Sequence, residues 1–298
     1  RYSDIDLWAP LDVIDAMIEG QFAAVAAVRA ARLELEQAAL AAEARLKAGG
    51  RLAYAGAGTS GRLAVQDGAE LMPTFGWPRD RLLLFMAGGE DALTQAAEGA
   101  EDQAGQAIDL VRKEKISAND VMIAVAASGA TPFTLACLRE AGRLGACTIG
   151  IANNPATPLL EEAERPICLA TGPEPIAGST RMNAGTAQRI ALSVLSSLVM
   201  IRLGRVYRGL MVDMLPSNAK LLKRQLSMLV HLTGRSGEEV AEALRRANGS
   251  VKLAVLLLEG CDVGEARRIL DLAGGRLRQA VSAVAAGRGS RVRHADFE

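Results

Sequence analysis

The sequence predicts an α/β fold: a doubly wound, five-stranded parallel sheet of the flavodoxin-like type. Five short apolar runs, partly β-branched, alternate with helical patterns between residues 52 and 170. Runs that are apolar on both faces are typical of parallel strands covered by helices on both sides. A glycine-rich turn follows the first run, and ligands of such sheets bind beyond the carboxyl ends of the strands.

The elements follow in the order that this fold requires. Residues 11–47 are rich in alanine, with charges three and four positions apart, and Gly49-Gly50 ends the pattern, so we expect one or two long N-terminal helices. The predicted strands are residues 52–55, 82–86, 121–126, 147–151 and 166–170. The predicted helices between them are residues 62–71, 92–113, 131–144 and 158–164.

The C-terminal part of the chain has a different pattern. A long helix is expected over residues 179–206, and beyond Pro216 no further strand is predicted. Five short amphipathic patterns lie there, at residues 220–232, 237–246, 251–258, 263–272 and 276–286. We therefore expect two domains, residues 1–216 with the sheet and residues 217–298 as a small all-helical domain. Its tail from Gly287 is rich in Arg and Gly and is expected to be loose.

The composition argues against several classes of protein. The 34 basic and 34 acidic residues balance, so we expect no nucleic-acid partner and no membrane partner. The apolar run at residues 190–201 is shorter than the roughly 20 residues of a membrane span, and we expect no secretory signal. The four cysteines show no paired spacing, which is typical of free thiols in the cytoplasm. With only two histidines, we expect no metal site, and we expect no cofactor.

The turn after the first predicted strand indicates an anion site. Residues 54–62 read Tyr-Ala-Gly-Ala-Gly-Thr-Ser-Gly-Arg, and a helical pattern follows. Thr59, Ser60 and Gly61 thus bring hydroxyls, backbone N–H groups and a helix dipole to one point, which favours a phosphate. The same letters match the dinucleotide motif, but that motif also needs an acidic residue about 20 positions on. A purely structural turn is the other alternative.

A second turn of similar composition follows the third predicted strand. It contains Ser128, Gly129 and Thr131, with Pro132 suited to the first turn of a helix. Either hydroxyl could simply cap that helix. In a parallel sheet, however, the first and third strands are neighbours, so the two turns together favour a phosphate site.

Three glutamates and one polar segment are ambiguous from their pattern alone. Glu70 precedes Leu71-Met72-Pro73, Glu101 lies in an acidic run and Glu174 lies between two prolines. A lone glutamate on a helix is usually solvated. Residues 178–188, which include Ser179, place many small polar side chains at a helix start. Such a segment binds an anion or packs closely against a neighbour.

Several longer motifs are jointly specific. They are residues 54–70, 74–76, 87–89, 98–102, 127–129 with 131–132, 178–188 and 211–213. In these motifs the chain resembles the N-acetylmuramic acid 6-phosphate etherases, a family within the sugar isomerase (SIS) fold group. Residues 232–254 are similar to the family's small ubiquitin-associated-like module. Members cleave the D-lactyl ether of the amino sugar by elimination followed by addition of water.

The resemblance implies a role for each candidate residue. Glu70 corresponds to the catalytic acid and Glu101 to the catalytic base. The phosphate or the sugar hydroxyls are held by Thr59, Ser60, Gly61, Ser128, Gly129 and Thr131. Glu174 and Ser179 line the sugar pocket. The resemblance also implies a phosphorylated amino sugar as substrate and a homodimer as the assembly.

The chain departs from the family pattern at three places. Ala130 stands where the family usually has Arg, Asn183 where it has Lys, and Leu71-Met72 where it has Cys-Pro. The loss of two cations near a phosphate leaves two alternatives open, an aldose–ketose phosphosugar isomerase and a non-catalytic sugar-phosphate-binding regulator. Arg62 and Arg181 are the basic residues that could compensate for these losses.

Overall fold

The computed structural model describes residues 2–95, 97–216 and 218–295, and their side chains up to residue 287. The chain divides into two compact units. The first comprises Arg1–Glu70 and Pro78–Val199, and the second comprises Leu71–Trp77 and Met200–Glu298. The second unit therefore starts earlier than the helical domain expected from residue 217, and it includes a short segment from the middle of the chain.

The first unit is built on a five-stranded sheet. The strands are β1 Leu52–Gly56, β2 Leu82–Met86, β3 Val121–Val125, β4 Cys147–Ala152 and β5 Arg165–Cys168. All pair in parallel, in the order β2-β1-β3-β4-β5. Every residue of β1, β3 and β4 is buried, as expected for strands that are covered on both faces. The doubly wound fold is confirmed.

The helices of this unit mostly lie where the pattern predicts them. They are α1 Pro10–Ala30, α2 Arg32–Lys47, α3 Gly58–Phe75, α4 Ala104–Lys113, α5 Pro132–Arg143, α6 Pro158–Glu162 and α7 Asn183–Arg202. Only the first part of α3 and of α7 belongs to the first unit. Prolines at the first position of α1, α5 and α6 are compatible with these helix starts, because a proline there loses no helical hydrogen bond.

The helix predicted over residues 92–113 is wrong in its first half. The structure has two short 3-10 helices there, Glu90–Leu93 and Ala100–Asp102, and only then α4. Gly88, Gly89 and Gly99 have φ values of 82°, 70° and 69°. A helix does not pass through such a left-handed position. Gly88 and Gly89 lie before the predicted helix, and Gly99 lies inside it, so the segment forms an irregular loop that carries Glu101.

Within the described residues, the second unit contains a hairpin and five complete helices, besides the ends of α3 and α7. The hairpin strands are β6 Val206–Tyr207 and β7 Leu210–Met211, which pair antiparallel. The helices are α8 Ala219–Thr233, α9 Gly237–Arg246, α10 Val251–Leu258, α11 Val263–Leu272 and α12 Leu277–Ala295. The long helix expected up to residue 206 ends at Arg202 instead, shortly before Gly204 with its φ of 78°. Helix α12 continues past Gly287, where we expected a loose tail; residues 296–298 of that tail lie outside the described residues.

One turn occurs twice in the second unit. Asn248-Gly249 leads into α10 and Gly274-Gly275 leads into α12, and all four residues have φ between 50° and 79°. The hydrogen bonds also correspond: the N–H of Gly249 donates to Leu244 O and that of Gly275 to Leu270 O. Lys252 is the second residue of α10 and Arg278 the second residue of α12, so the two occupy equivalent positions.

Helix α7 is the one helix, within the described ranges, that is long and apolar enough to cross a membrane by length and composition. Its mean hydropathy is 1.4, and 56% of the apolar stretch is buried inside the protein. The core helix of a globular protein has the same properties, so this helix is weak evidence for a membrane span.

Candidate active site at the carboxyl edge of the sheet

The turn between β1 and α3 brings a strand end directly against a helix start. A Cβ atom added to Gly56 would lie 2.8 Å from the backbone of Gly61, and one added to Gly61 would lie 2.7 Å from Gly56. Only glycine fits at both positions. Gly61 is thus needed for this close approach, and Thr59 and Ser60 are placed in the first turn of α3.

The turn between β3 and α5 presents two hydroxyls side by side. Ser128 Oγ lies 3.4 Å from Thr131 Oγ1 and accepts a hydrogen bond from the N–H of Ala130 at 3.2 Å. Thr131 occupies the N-cap position of α5, but its side chain makes no capping bond. Its hydroxyl is therefore available to a ligand. Gly129 has a φ of 66°, and a Cβ atom there would lie 2.1 Å from Thr157 Oγ1.

Both turns face one cleft of about 410 Å³, because β1 and β3 are paired neighbours. The cleft is lined by Ala57, Gly58, Thr59, Ser60, Glu101, Asp102, Ala127, Ser128, Ala130, Thr131, Pro132 and Thr180. Two helix N-termini, those of α3 and α5, open onto it, so backbone N–H groups and two positive dipole ends converge there. No Lys or Arg is among these described lining residues, whereas two carboxylates are.

Glu101 lies where the cleft meets a smaller cavity. This second cavity measures about 230 Å³ and shares Ala57, Gly58 and Glu101 with the cleft. Arg62 lines the smaller cavity only, and its guanidinium donates to the carbonyl oxygens of Ala92 and Gln95, each at 2.9 Å. Arg62 is thus held beside the cleft rather than in it.

The chain is similar to known proteins over most of its length. A model of the SIS domain matches residues 103–198, and a model of the glucokinase regulatory protein N-terminal SIS domain matches residues 34–141. A protein of Deinococcus radiodurans named N-acetylmuramic acid 6-phosphate etherase is 49% identical over 93% of this chain and 92% of its own. The chain belongs to the N-acetylmuramic acid 6-phosphate etherase family. A relative of the same name from Enterobacter sp. strain 638 is 41% identical over 93% of this chain and 94% of its own.

Solved structures are more distant than these etherases. A phosphoheptose isomerase from Francisella tularensis is 20% identical, covers 65% of this chain and 98% of its own, and superposes with a TM-score of 0.47. A likeness of this strength says nothing about the reaction of the present etherase-family chain.

The structure separates the two glutamates that correspond to the family's acid and base. Glu101 lines the cleft, whereas Glu70 is exposed and lies ten residues after Ser60 on α3. Ten residues of helix span about 15 Å. In a single chain of this etherase-family protein, Glu70 is therefore not among the residues that line the cleft.

The segment before α7 places its polar residues differently from the expectation for the family. Glu174 accepts hydrogen bonds from the N–H groups of Asn183 and Ala184, both at 2.9 Å, so its carboxylate caps α7. Ser179 is half-buried and is not among the residues that line the cleft. Thr180, its neighbour, does line the cleft. The sequence pattern marked this polar run without identifying Thr180.

Asn183, which replaces the family's usual lysine, is buried and does not face the cleft. Gln21 Nε2 donates to Asn183 Oδ1 at 3.2 Å, and Asn183 Nδ2 donates to Pro173 O at 3.4 Å. Gln21 also accepts a hydrogen bond from Thr186. Asn183 thus connects α1 to the start of α7, and its side chain serves packing in this member of the family.

A buried carboxylate behind the cleft was not identified from the sequence. Asp67 of α3 accepts hydrogen bonds from the Tyr54 hydroxyl at 2.9 Å and from Ser196 Oγ at 3.3 Å, and Arg189 Nη1 lies 3.9 Å away. Burial raises the pKa of Asp67, although these partners oppose the shift. The network connects β1, α3 and α7, and thereby fixes the helix that carries Thr59 and Ser60.

Proposed function

We propose that this chain cleaves the D-lactyl ether of N-acetylmuramic acid 6-phosphate and releases N-acetylglucosamine 6-phosphate and D-lactate. It would then be a carbon–oxygen lyase that acts by elimination followed by hydration. The observation that carries the proposal is one cleft that joins two hydroxyl-bearing turns to Glu101. The names of relatives that match along 93% of the chain support the same substrate.

The phosphate would be held without a cation. The hydroxyls of Thr59, Ser60, Ser128 and Thr131 and the first N–H groups of α3 and α5 all border the cleft. Hydrogen bonds from N–H groups at a helix N-terminus suit an anion, and two such termini converge here. This arrangement supplies donors where the family usually has Arg in place of Ala130.

Glu101 would start the reaction as a general base. In the opened sugar, the aldehyde makes the proton on carbon 2 acidic, and a carboxylate within reach removes it. The bond between carbon 3 and the lactyl oxygen then breaks, and that oxygen needs a proton as it leaves. Water adds to carbon 3 of the resulting alkene, and a proton returns to carbon 2. These steps need two carboxyl groups and no metal or cofactor.

We propose that Glu70 supplies the acid to the cleft of a second copy, in a homodimer. The distance along α3 prevents Glu70 from serving its own cleft, and its side chain is exposed. An exposed apolar stripe on α1, formed by Leu11, Ile14, Ile18, Phe22 and Val25, has spacings of three and four residues. Such a stripe suits packing against a helix of a second copy.

The cellular setting is also a proposal. All four cysteines are free, as in proteins of a reducing cytoplasm. A reaction that converts a phosphorylated muramic acid to a phosphorylated glucosamine belongs to amino sugar catabolism. We therefore place the protein in the cytoplasmic recycling of cell wall sugars.

The deciding experiment mixes purified protein with N-acetylmuramic acid 6-phosphate and measures D-lactate with a coupled dehydrogenase. We expect lactate release that depends on the phosphate, so unphosphorylated N-acetylmuramic acid should give little. A hexose 6-phosphate serves as the control for isomerase activity. Tight binding of the muramic acid phosphate without lactate would contradict the proposal and indicate a regulator.

A further inference from the structure

A cavity in the second unit is lined by arginine. It measures about 370 Å³, which is within the range of small-molecule sites. Four of its eleven lining residues are Arg202, Arg208, Arg276 and Arg278, and none of the eleven is Asp or Glu. Residues 277–279, in the first turn of α12, also line it, so N–H groups at a helix start border the same space.

Tyr207 holds two of these arginines together. Its ring is 7% exposed and belongs to the apolar core of the second unit. The guanidinium carbon of Arg208 lies 5.3 Å from the ring centroid and that of Arg278 lies 5.2 Å from it, both within cation–π range. Among the described residues, neither Arg208 nor Arg278 forms an ion pair with a carboxylate.

In two other places, cations of the described chain lie against a carboxylate. Arg112 and Arg143 both bind Glu140, at 2.7 and 2.8 Å. Lys252, which occupies the position equivalent to Arg278, binds Asp213. Like charges brought together without a counterion repel each other. Unlike these groups, Arg208 and Arg278 form no ion pair with a carboxylate of the described residues.

The backbone at Arg208 is also unusual. Arg208 and Gly209 form the two-residue loop of the β6–β7 hairpin, with φ values of 50° and 76°. Such loops favour Asn, Asp or Gly at both positions, because other residues are strained at positive φ. Strained residues of this kind are concentrated at ligand sites. Here the strain places a guanidinium at the cavity.

We propose that this cavity binds a small phosphorylated molecule through Arg208 and Arg278. The planar guanidinium group presents paired N–H donors that match phosphate oxygens, which makes arginine the preferred residue for such anions. The phosphate provides a negative charge for Arg208 and Arg278, and the volume leaves room for a small organic group beside it. The site is built from residues of the second unit alone and does not depend on the etherase reaction.

Calorimetric titration of the full-length protein with inorganic pyrophosphate tests this site. We expect the Arg208→Ala/Arg278→Ala variant to bind pyrophosphate at least tenfold more weakly than the wild type. Arg267→Ala is the matched control, because Arg267 is exposed on α11 and lies outside the cavity lining. It should change the affinity less than twofold. The Thr59→Ala/Ser128→Ala variant removes two hydroxyls of the sheet cleft. It should leave pyrophosphate binding in the arginine cavity intact, which distinguishes the two sites.

Arg208→Gly is a second variant, chosen because it should remain folded. Glycine suits a φ of 50° better than arginine, so this variant should melt no lower than the wild type and still lose pyrophosphate affinity. The proposal is overturned if pyrophosphate does not bind, if Arg208→Gly and the double variant bind it normally, or if Arg267→Ala weakens it equally. Binding of a poly-glutamate peptide in place of pyrophosphate would also overturn it and indicate an acidic protein partner.

Discussion

The cleft of the first unit and the arginine cavity of the second unit bind anions by opposite means in our proposals. The cleft offers hydroxyls and helix N–H groups beside two carboxylates, with no Lys or Arg among its described lining residues. The cavity offers the guanidinium groups of Arg208 and Arg278, and its described lining contains no carboxylate. A site that contains a catalytic carboxylate gains from neutral donors, because a nearby guanidinium stabilises the ionised carboxylate and weakens it as a base. A site that only binds has no such constraint.

The largest difference between the cleft and the arginine cavity is expected when the proposed base, Glu101, is removed. Glu101→Gln keeps the shape of the side chain but cannot accept the carbon-2 proton, so we expect lactate release to fall by about 100- to 10,000-fold. Exchange of the carbon-2 proton with deuterium oxide, followed by NMR, should stop as well. Glu98→Gln is the control, because Glu98 lines only the adjacent smaller cavity. Normal proton exchange in Glu101→Gln would remove Glu101 as the base.

The neutral cleft should depend on its backbone geometry. Gly129→Ala would place a methyl group against Thr157 at a φ of 66°. We expect a loss of about 1–3 kcal/mol in the free energy of unfolding, measured with urea, together with a raised KM. Gly105→Ala in α4 is the matched control, because nothing lies near its added Cβ. That change should stabilise the protein by about 0.5–1 kcal/mol. Equal stability of the two variants would contradict this view of the turn.

Adding a cation to the cleft should make it resemble the arginine cavity. Ala130→Arg introduces the charge that the family usually has, and a charge-assisted hydrogen bond to phosphate contributes about 1.5–3 kcal/mol. We expect KM to fall by about tenfold or more and to become dependent on salt concentration. Ala130→Gln provides similar length without charge and should leave the salt dependence weak. A KM unaffected by the arginine would show that the phosphate lies elsewhere.

The smallest effect, on the melting temperature, is expected at Glu140, a carboxylate that already binds two arginines. Hydrogen bonds from Arg143 and Arg112 lower the pKa of Glu140 from 4.5 to about 2. Because the folded pKa lies below the unfolded one, this contribution is present above about pH 4.5 and is lost as the pH falls toward 2. Glu140→Gln should therefore lower the Tm slightly at pH 7 and not at pH 2. Both arginines are largely exposed, so an equal Tm difference at both pH values would indicate packing instead.

The fold was largely predictable because the sheet depends on local patterns. All five strands lie within two residues of their predicted bounds, since each is a short apolar run between glycines or helical segments. The loop that carries Glu101 was mistaken for helix, because its alanines favour helix while Gly99, with its positive φ, interrupts it. Helical periodicity in a sequence reflects side chains such as these alanines. It does not reflect the backbone conformation of the glycines.

The site was predictable where its residues follow a strand directly. Thr59, Ser60, Ser128 and Thr131 do so and line the cleft. Glu174 could not be placed in this way, because its carboxylate is taken by the start of α7, a contact that only the tertiary structure determines. The Tyr54–Asp67 hydrogen bond joins a strand to the helix after it, and no spacing rule indicated it.

The repeated turn before α10 and α12 has a consequence for the residues that follow it. All four residues of the two turns have positive φ, a conformation that glycine and asparagine tolerate better than other residues. Lys252 and Arg278 follow the turns at equivalent positions, yet Lys252 pairs with Asp213 whereas Arg278 lies over the Tyr207 ring. The same backbone conformation thus brings one cation to a carboxylate and the other to an aromatic ring.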